Sequence, residues 1–155
     1  MDATDDERYM EAALAAAAEA AEDGEVPVGA VVVRDGAVIA AGRNRTEATN
    51  QAVAHAEMEA LRKAGAAVGD WRLTGCTMYV TVEPCPMCAF AAVLARLDGI
   101  VFGAADPKFG GCGSVLNVPA APFNHHVTVR GGVLVNKCAA LLKDFFQKRR
   151  AETTE

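Results

Sequence analysis

The feature that most constrains the fold of this chain is a set of potential metal-binding side chains divided between two distant segments. One segment contains His55 and Glu57, and the other contains Cys85 and Cys88. The two cysteines are three residues apart, so they are neighbours on one face of a helix. The first turn of a helix favours thiolates through its free N–H groups and its dipole. The sequence therefore predicts that two helix N-termini, one of them at His55, converge on one metal ion.

Three protein ligands of these types are typical of a catalytic zinc ion. They leave the fourth tetrahedral position for water, whose pKa zinc lowers to about 7. Glu57 is placed to act as general base on that water and to pass the proton to a ring nitrogen of a substrate. The same pattern is typical of zinc-dependent nucleobase deaminases, so it predicts hydrolytic deamination. The alternative is a structural zinc knuckle or two core cysteines with an unrelated histidine, although structural zinc sites usually have four Cys or His ligands.

Composition restricts the class of protein. The chain has 155 residues, of which 52% are hydrophobic and 23% charged, which is typical of one globular domain spanning 1–155. The net charge of -5 argues against a protein that coats nucleic acid through bulk positive charge, so an RNA partner would need a local basic patch. No targeting segment or membrane span is expected. Five cysteines, an odd number, favour a reducing cytoplasm over a disulfide framework.

Hydrophobic periodicity predicts an alternation of helices and strands. Helices are expected at about 5–23, 54–65, 84–97 and from 136 onward. Strands are expected at 28–34, 37–44, 76–82 and 99–104, the first two joined by an Asp35-Gly36 hairpin turn. Residues 127–135 are expected to form a last strand or two short extended pieces. Residues 105–124 are expected to form a long loop, and loops of that length are usually functional or mobile. This order predicts an α/β fold, a three-layer α/β/α sandwich around a mixed sheet of about five strands.

Segments distributed over nearly the whole chain, from about Glu11 to Arg150, carry a family resemblance. They are Gly24–Val31, Gly42–Arg45, Ala54–Met58, Trp71–Leu73, Tyr79–Cys85, Val101–Ala104, Asp106–Lys108, Gly113-Ser114, Asn124-His125 and Phe145-Phe146. The chain resembles the tRNA-specific adenosine deaminases, within the cytidine/deoxycytidylate deaminase superfamily. The zinc motif is shared by the superfamily, whereas the terminal portions and Asn124-His125 point to the tRNA enzymes. The resemblance implies a cytidine deaminase-like fold and conversion of the wobble adenosine of tRNA to inosine.

The resemblance also implies the reactive centre and the partners. His55, Cys85 and Cys88 would bind one zinc ion per chain, and Glu57 would shuttle protons. The substrate would be a tRNA anticodon stem-loop, whose unpaired bases can be splayed into a pocket at modest cost. The protein would act as a cytoplasmic homodimer without contact to a membrane.

Substrate contacts are implied for a further group of residues. They are Val26, Pro27, Val28, Asn44, Asp106, Lys108, Asn124 and His125. Asn44 would hydrogen-bond the target nucleoside in a pocket lined by residues 26–28, and the last four would touch nucleotides beside the flipped base. The basic end of the last helix, formed by Lys148, Arg149 and Arg150, would lie along the anticodon stem.

Each of these assignments has a purely structural alternative. Asn44 could end a strand, residues 26–28 could form core and turn, and His125 could be a polar residue of a surface loop. Basic residues favour the C-terminus of a helix without any RNA. The remaining cysteines are expected to be inert apolar fillers, namely Cys76, Cys112 and Cys138.

Three segments depart from the bacterial members of the family, namely 50–54, 109–113 and 119–122. The second resembles the catalytic subunit of the eukaryotic two-subunit enzyme. These differences leave open which tRNAs are accepted and whether the partner subunit is identical. Two other functions remain as alternatives. One is a free-base or nucleotide deaminase acting on guanine or deoxycytidylate, and the other is a non-catalytic, zinc-stabilised module for RNA binding or subunit contact.

Overall fold

The computed structural model describes residues 3–153, with side chains described from Asp5 to Glu152. The helices are α1 (Ala3–Glu22), α2 (Thr46–Thr49), α3 (Ala56–Val68), α4 (Pro86–Leu94) and α5 (Val135–Thr153). The strands are β1 (Gly29–Arg34), β2 (Ala37–Arg43), β3 (Cys76–Val82), β4 (Gly99–Ala104) and β5 (Thr128–Arg130). A single 3-10 turn at Val118–Ala120 lies in the long loop between β4 and β5.

The strands form one mixed sheet in the order β2-β1-β3-β4-β5. The pairs β2–β1 and β1–β3 are antiparallel, whereas β3–β4 and β4–β5 are parallel. Because successive side chains of a strand point to opposite faces, neighbouring rows of the sheet belong to different cores. The predicted five-stranded mixed sheet is confirmed.

Helices cover both faces of this sheet. Val32, Met78 and Ile100 lie in one row across β1, β3 and β4 and pack against the apolar faces of α3 and α4. The adjacent row contains Val31 and Tyr79, which pack against α1 and α5. The predicted three-layer α/β/α sandwich is therefore confirmed, and the helices that begin next to the metal-ligand motifs share one layer.

Two glycines let helices α1 and α3 approach the sheet backbone to backbone. A Cβ atom at Gly29 in β1 would lie 2.0 Å from the carbonyl oxygen of Ala13, and one at Gly42 in β2 would lie 2.3 Å from that of Ala56. The alanine-rich face of α1 follows from this close contact, because larger side chains would hold the helix away. On the other face, β2 supports the first turn of α3, which carries the His55–Glu57 segment.

Local turn chemistry explains where several elements begin and end. Asp35 and Gly36 both have positive φ values, 50° and 77°, as the two central residues of a type I′ hairpin require, so the predicted hairpin is confirmed. Helix α3 continues past Gly65 and ends at Gly69, whose φ is 78°. Helix α4 ends at Leu94 rather than Leu97, because Arg96 adopts a φ of 63°.

The last strand is shorter than predicted. Residues 127–135 were expected to be extended, but β5 contains only Thr128–Arg130. Gly132, with a φ of 86°, turns the chain after the strand, and α5 already begins at Val135. The short helix α2, absent from the prediction, fills part of the segment between β2 and α3.

Within the part of the chain that is described, no helix combines the length and the apolar composition needed to cross a bilayer. The three remaining cysteines are buried and are free thiols, namely Cys76, Cys112 and Cys138. Burial raises the pKa of Cys112 to about 12 and that of Cys138 to about 11, so these two thiols stay protonated, as expected of apolar fillers.

Candidate active site

Three metal-ligand side chains meet where α3 and α4 begin. His55 is the N-cap residue of α3 and Cys85 the N-cap residue of α4, both with extended backbone, while Cys88 lies in the first turn of α4. The Sγ atom of Cys85 lies 3.6 Å from Nδ1 of His55, and that of Cys88 lies 3.5 Å from the same nitrogen. All three donor atoms lie within 4.8 Å of one another. The predicted convergence of two helix N-termini is confirmed.

These distances fit a tetrahedral zinc ion. With Zn–S bonds of about 2.3 Å and Zn–N bonds of about 2.05 Å, tetrahedral angles place sulfur and nitrogen about 3.55 Å apart. The two sulfur–nitrogen distances, 3.6 and 3.5 Å, match that separation. The group has three donors, and the described residues add no fourth donor to it. Three protein ligands are the number that a catalytic zinc site uses.

Glu57 lies beside this donor group in the first turn of α3. Its side chain is only 4% exposed. Burial raises the pKa of Glu57 to about 7, because a charged carboxylate is disfavoured away from water. A carboxyl group with a pKa near neutrality can both accept and donate a proton, as a general acid–base residue must.

The two thiols are electrostatically different. The hydrogen bond between them lowers the pKa of Cys85 to about 4 and raises that of Cys88. The hydrogen bond with Cys85 also raises the pKa of His55. Zinc binds thiolates and neutral imidazole. One thiol of the pair therefore ionises more readily than the other, as a pair of zinc-ligand candidates requires.

The residues expected to form the nucleoside pocket lie together next to α3. The Asn44 side chain is 9% exposed; its amide nitrogen donates to the carbonyl of Val26 at 3.4 Å, and its backbone N–H donates to Val28 at 3.1 Å. The backbone N–H of Arg45 donates to Ala54, the residue before His55, at 3.0 Å. These bonds connect 26–28 and Asn44 to the start of the metal-binding segment. Their contact with a nucleoside stays a prediction.

The residues expected to contact neighbouring nucleotides lie in the long loop between β4 and β5. The carboxylate of Asp106 accepts the backbone N–H groups of Lys108 and Phe109 at 3.0 and 3.1 Å, which forms a tight turn. Lys108 and Asn124 are exposed. His125 is half-buried, and its Nε2 donates to the carbonyl of Leu97 at 2.7 Å. Nucleotide contact by these residues stays a prediction too.

The basic end of α5 already has contacts within the protein. Arg149 donates to the carbonyl of Gly24 at 2.6 Å, and its guanidinium lies 4.8 Å from the centroid of the Phe145 ring. These contacts tie the end of α5 to the end of α1. Lys148 and Arg150 are exposed.

Two buried carboxylates that organise the site were missed by the sequence reasoning. Glu83 is 3% exposed and accepts hydrogen bonds from the backbone N–H groups of Asp106 (3.1 Å), Cys112 (3.0 Å) and Ser114 (3.1 Å), and from the Ser114 hydroxyl. Burial acts to raise the pKa of Glu83, but these hydrogen bonds outweigh it and lower the pKa. One carboxylate thus holds the loop between β4 and β5 against α4.

Glu25 has the equivalent role on the other side of the site. It is 2% exposed, and its two oxygens accept the backbone N–H groups of Glu47 and Ala48 in α2 at 3.0 and 2.8 Å. It therefore fixes the segment that runs from Asn44 to the metal-binding helix. A signal was available in the sequence, because both glutamates directly precede segments singled out for the site, Val26-Pro27 and Pro84-Cys85.

Comparisons with known proteins agree with this geometry. Residues 4–150 match the family model of the MafB19-like deaminases. The chain is 48% identical over 148 residues to the tRNA-specific adenosine deaminase of Bacillus subtilis (strain 168), with 95% of this chain and 92% of that protein covered. A structure solved in a study of A-to-I editing by tRNA:A34 deaminases at the wobble position has a TM-score of 0.84 and 44% identity, covering 87% of this chain and 99% of that one.

A guanine deaminase from Nitrosomonas europaea is more distant in sequence. Its structure gives a TM-score of 0.78 at 28% identity, covering 90% of this chain and 83% of that one. The higher identities to the tRNA enzymes extend over most of both chains. This chain therefore belongs to the family of tRNA-specific adenosine deaminases.

Proposed function

We propose that this chain is a single zinc-dependent domain, spanning 1–155, that deaminates the wobble adenosine of tRNA anticodons to inosine. The observation that carries the proposal is the meeting of His55, Cys85 and Cys88 with the buried Glu57 at two helix N-termini. The 48% identity to a tRNA-specific adenosine deaminase supports the substrate. Asn44 and the residues around Pro27, which lie beside the metal-binding helix, form the pocket for the flipped base.

The protein residues have defined tasks in this reaction. His55, Cys85 and Cys88 hold the zinc ion, which supplies Lewis acidity that makes water a nucleophile near pH 7. Glu57 takes a proton from the attacking water and delivers it to the ring nitrogen next to the reacting carbon. It then moves the second water proton to the departing amino group. The C6–N6 bond of adenosine breaks, a carbonyl forms at C6, and ammonia leaves, so adenosine and water give inosine and ammonia.

Recognition of the stem-loop requires few phosphate contacts. The net charge of the chain is -5, so bulk attraction to RNA is weak, and exposed Lys108 and Lys148 supply positive charge locally. Splayed bases of a single-stranded loop are bound mainly through pockets and stacking. The salt dependence of binding is therefore shallower than that of proteins that grip a duplex.

The proposed enzyme is a cytoplasmic homodimer, as its family resemblance implies. The apolar surface between α3 and α4, formed by Met58, Leu61, Trp71 and Leu94, supports a subunit contact, because Trp71 and Leu94 are 57% and 53% exposed. A second copy on this surface would lie next to the metal-binding helices. Light scattering tests the dimer, and Leu94→Asp should produce monomers because it places a charge in the contact. A wild-type monomer would contradict this part of the proposal.

The substrate is tested with one panel of candidates. The purified protein is incubated with an anticodon stem-loop carrying adenosine at the wobble position, with free adenosine, with guanine and with deoxycytidylate. Inosine should form in the stem-loop, and metal analysis should find one zinc ion per chain. The structural similarity to a guanine deaminase makes guanine the main alternative. Conversion of only guanine or deoxycytidylate would refute the tRNA substrate.

A further inference from the structure

Phe109 is an aromatic side chain that packing within the chain does not explain. It is 68% exposed, the highest value among the exposed large hydrophobic side chains of the described residues. It directly follows the exposed Lys108 and precedes Gly110 and Gly111, which are buried. An apolar ring held in water is unfavourable. If the backbone around Phe109 is rigid, the exposed position of the ring indicates that it binds another molecule.

The backbone on both sides of Phe109 is held by hydrogen bonds. The Asp106 carboxylate accepts the N–H of Phe109 at 3.1 Å, and the Asp106 carbonyl accepts the N–H of Gly110 at 2.9 Å. The carbonyl of Gly110 in turn accepts the N–H groups of Val115 and Leu116 at 3.0 and 3.1 Å. The ring is thus attached to a closed turn, so little conformational freedom remains to be lost when it binds a ligand.

This turn lies directly on the metal-binding segment. A Cβ atom at Gly110 would lie 2.3 Å from the Glu83 carboxylate, and one at Gly111 would lie 2.6 Å from the backbone nitrogen of Pro86 and 2.7 Å from the carbonyl carbon of Cys85. Residues two apart in a chain have Cα atoms at most about 7 Å apart. Phe109 therefore stands at the rim of the site that contains the Cys85 ligand.

We propose that the ring of Phe109 stacks on an unpaired base of the anticodon loop next to the flipped adenosine, and that Lys108 contacts an adjoining phosphate. This inference rests on the proposed tRNA substrate and adds a residue that determines affinity for it. A flat ring beside a cation matches the repeating unit of single-stranded RNA, a flat base next to a phosphate. The ring acts on binding alone, because the proton transfers belong to Glu57.

The first test measures binding and turnover of the stem-loop. Loss of one stacking contact weakens binding by about 5- to 150-fold, so Phe109→Ala should raise KM by that factor while kcat stays within about twofold. Phe109→Trp should restore KM, and Phe109→Leu should not, because it is apolar without an aromatic face. Val38→Ala, which removes an exposed apolar side chain from the β1–β2 hairpin, is the matched control and should behave like the wild type.

The second test identifies the stacked base. Stem-loops with one abasic nucleotide at each loop position except the wobble position are titrated against Glu57→Ala and Glu57→Ala/Phe109→Ala proteins by fluorescence anisotropy. At the stacked position, the abasic substitution should weaken binding to the Glu57→Ala protein. It should leave binding to the Glu57→Ala/Phe109→Ala protein unchanged, because that protein lacks the ring. Equal losses in both proteins at every position would overturn the inference.

The failure of this inference is distinguishable from the failure of the proposed function. A wild-type protein that leaves the stem-loop unconverted refutes the function. A wild-type protein that converts it, with an unchanged KM in Phe109→Ala, refutes only the stacking contact. Light scattering is run on both proteins. A Phe109→Ala protein that becomes monomeric would overturn the stacking assignment and would place the ring in a subunit contact.

Discussion

The backbone of Gly42 in β2 touches the first turn of α3 at Ala56. A Cβ atom on Gly42 would lie 2.3 Å from the Ala56 carbonyl oxygen and 2.6 Å from the backbone nitrogen of Ala60. Ala56 lies between the proposed zinc ligand His55 and the proposed acid–base residue Glu57. The absence of a side chain at Gly42, in the edge strand β2, thus determines how closely the first turn of α3 packs against the sheet.

Gly42→Ala should therefore reduce both stability and metal affinity. The added methyl group has no space without a shift of α3, and overpacking of this kind costs about 1–3 kcal/mol. Because the shift moves His55 relative to Cys85 and Cys88, zinc affinity should fall as well. Urea unfolding measures the first effect and competition with a chelator the second.

Gly65→Ala in the same helix is the matched control. A Cβ atom at Gly65 would meet only the carbonyl oxygen of Asp70, at an ordinary 3.5 Å. Alanine is the better helix former by about 0.5–1 kcal/mol, so this variant should be as stable as the wild type or more stable. Equal stability of Gly42→Ala and Gly65→Ala would contradict the close-contact argument.

Glu57→Ala should abolish most of the turnover while the protein keeps its zinc. In the proposed reaction the carboxylate transfers protons, and it is absent from the donor group formed by His55, Cys85 and Cys88. Loss of a general acid–base residue costs about 10²- to 10⁴-fold in rate. Single-turnover assays on the stem-loop and metal analysis of the same preparation check the two halves of this prediction.

Glu59→Gln provides the control for the charge change on α3, because Glu59 lies in the same helix and pairs with Arg62 rather than with the metal-ligand group. It should retain the wild-type rate. Full activity of Glu57→Ala would indicate that another group moves the protons. Retained RNA binding with no reaction in either the wild type or the variant would instead support the non-catalytic module.

The features that were predicted from sequence depend on neighbouring residues. Helix periodicity predicts that Cys85 and Cys88 lie on one face of a helix. The Asp-Gly pair at 35–36 predicts a hairpin turn, because both central residues of that turn need positive φ values. The strands followed from apolar runs. Such signals are local, so the sequence alone locates the two helix N-termini and the five strands along the chain.

The features that were missed depend on contacts between distant residues. Glu83 bonds to Ser114, which is 31 residues away, and Glu25 to Ala48, which is 23 residues away. No periodicity marks such pairs. The turn that ends β5 at Gly132 also involves a distant contact, because the neighbouring Gly131 lies against the Phe102 ring of β4, with its Cβ position 2.4 Å from Cζ. Only the assembled fold shows which glutamate or glycine is needed at these points.

Glu83→Gln should destabilise the protein and loosen the loop between β4 and β5. The Glu83 carboxylate accepts hydrogen bonds from three backbone N–H groups. The side-chain amide of glutamine has one oxygen that accepts and one NH₂ group that can only donate. At least one buried backbone N–H group therefore loses its acceptor. That costs about 1–3 kcal/mol. Urea unfolding gives the free energy, and limited proteolysis should show faster cleavage between residues 105 and 118.

Glu47→Gln is a suitable control, because Glu47 is exposed and surface substitutions of this kind change stability by less than about 0.5 kcal/mol. Comparison of the two variants separates the loss of the buried Glu83 hydrogen bonds from the general effect of removing one negative charge. A Glu83→Gln protein with wild-type stability and wild-type proteolysis would show that the loop is held by other contacts.

Tyr79→Phe should lower stability by an amount that depends on pH. The Tyr79 hydroxyl donates to the buried Asp6 carboxylate at 2.8 Å, and Arg130 binds the same carboxylate. Hydrogen bonds to charged groups contribute about 1.5–3 kcal/mol, so the variant should lose stability of that order at pH 8.

The pH dependence follows from the protonation of Tyr79. Burial and the hydrogen bond to Asp6 raise the pKa of Tyr79. Above about pH 10 the unfolded tyrosine releases its proton while the folded one keeps it, so the stabilising contribution declines as the pH rises from there toward the folded pKa. The stability difference between wild type and Tyr79→Phe, measured by urea unfolding, should therefore narrow between pH 9 and pH 11. Tyr9→Phe, which removes a contact with the exposed Arg8, serves as control, and a gap that stays constant for Tyr79→Phe would contradict the buried phenol–carboxylate pair.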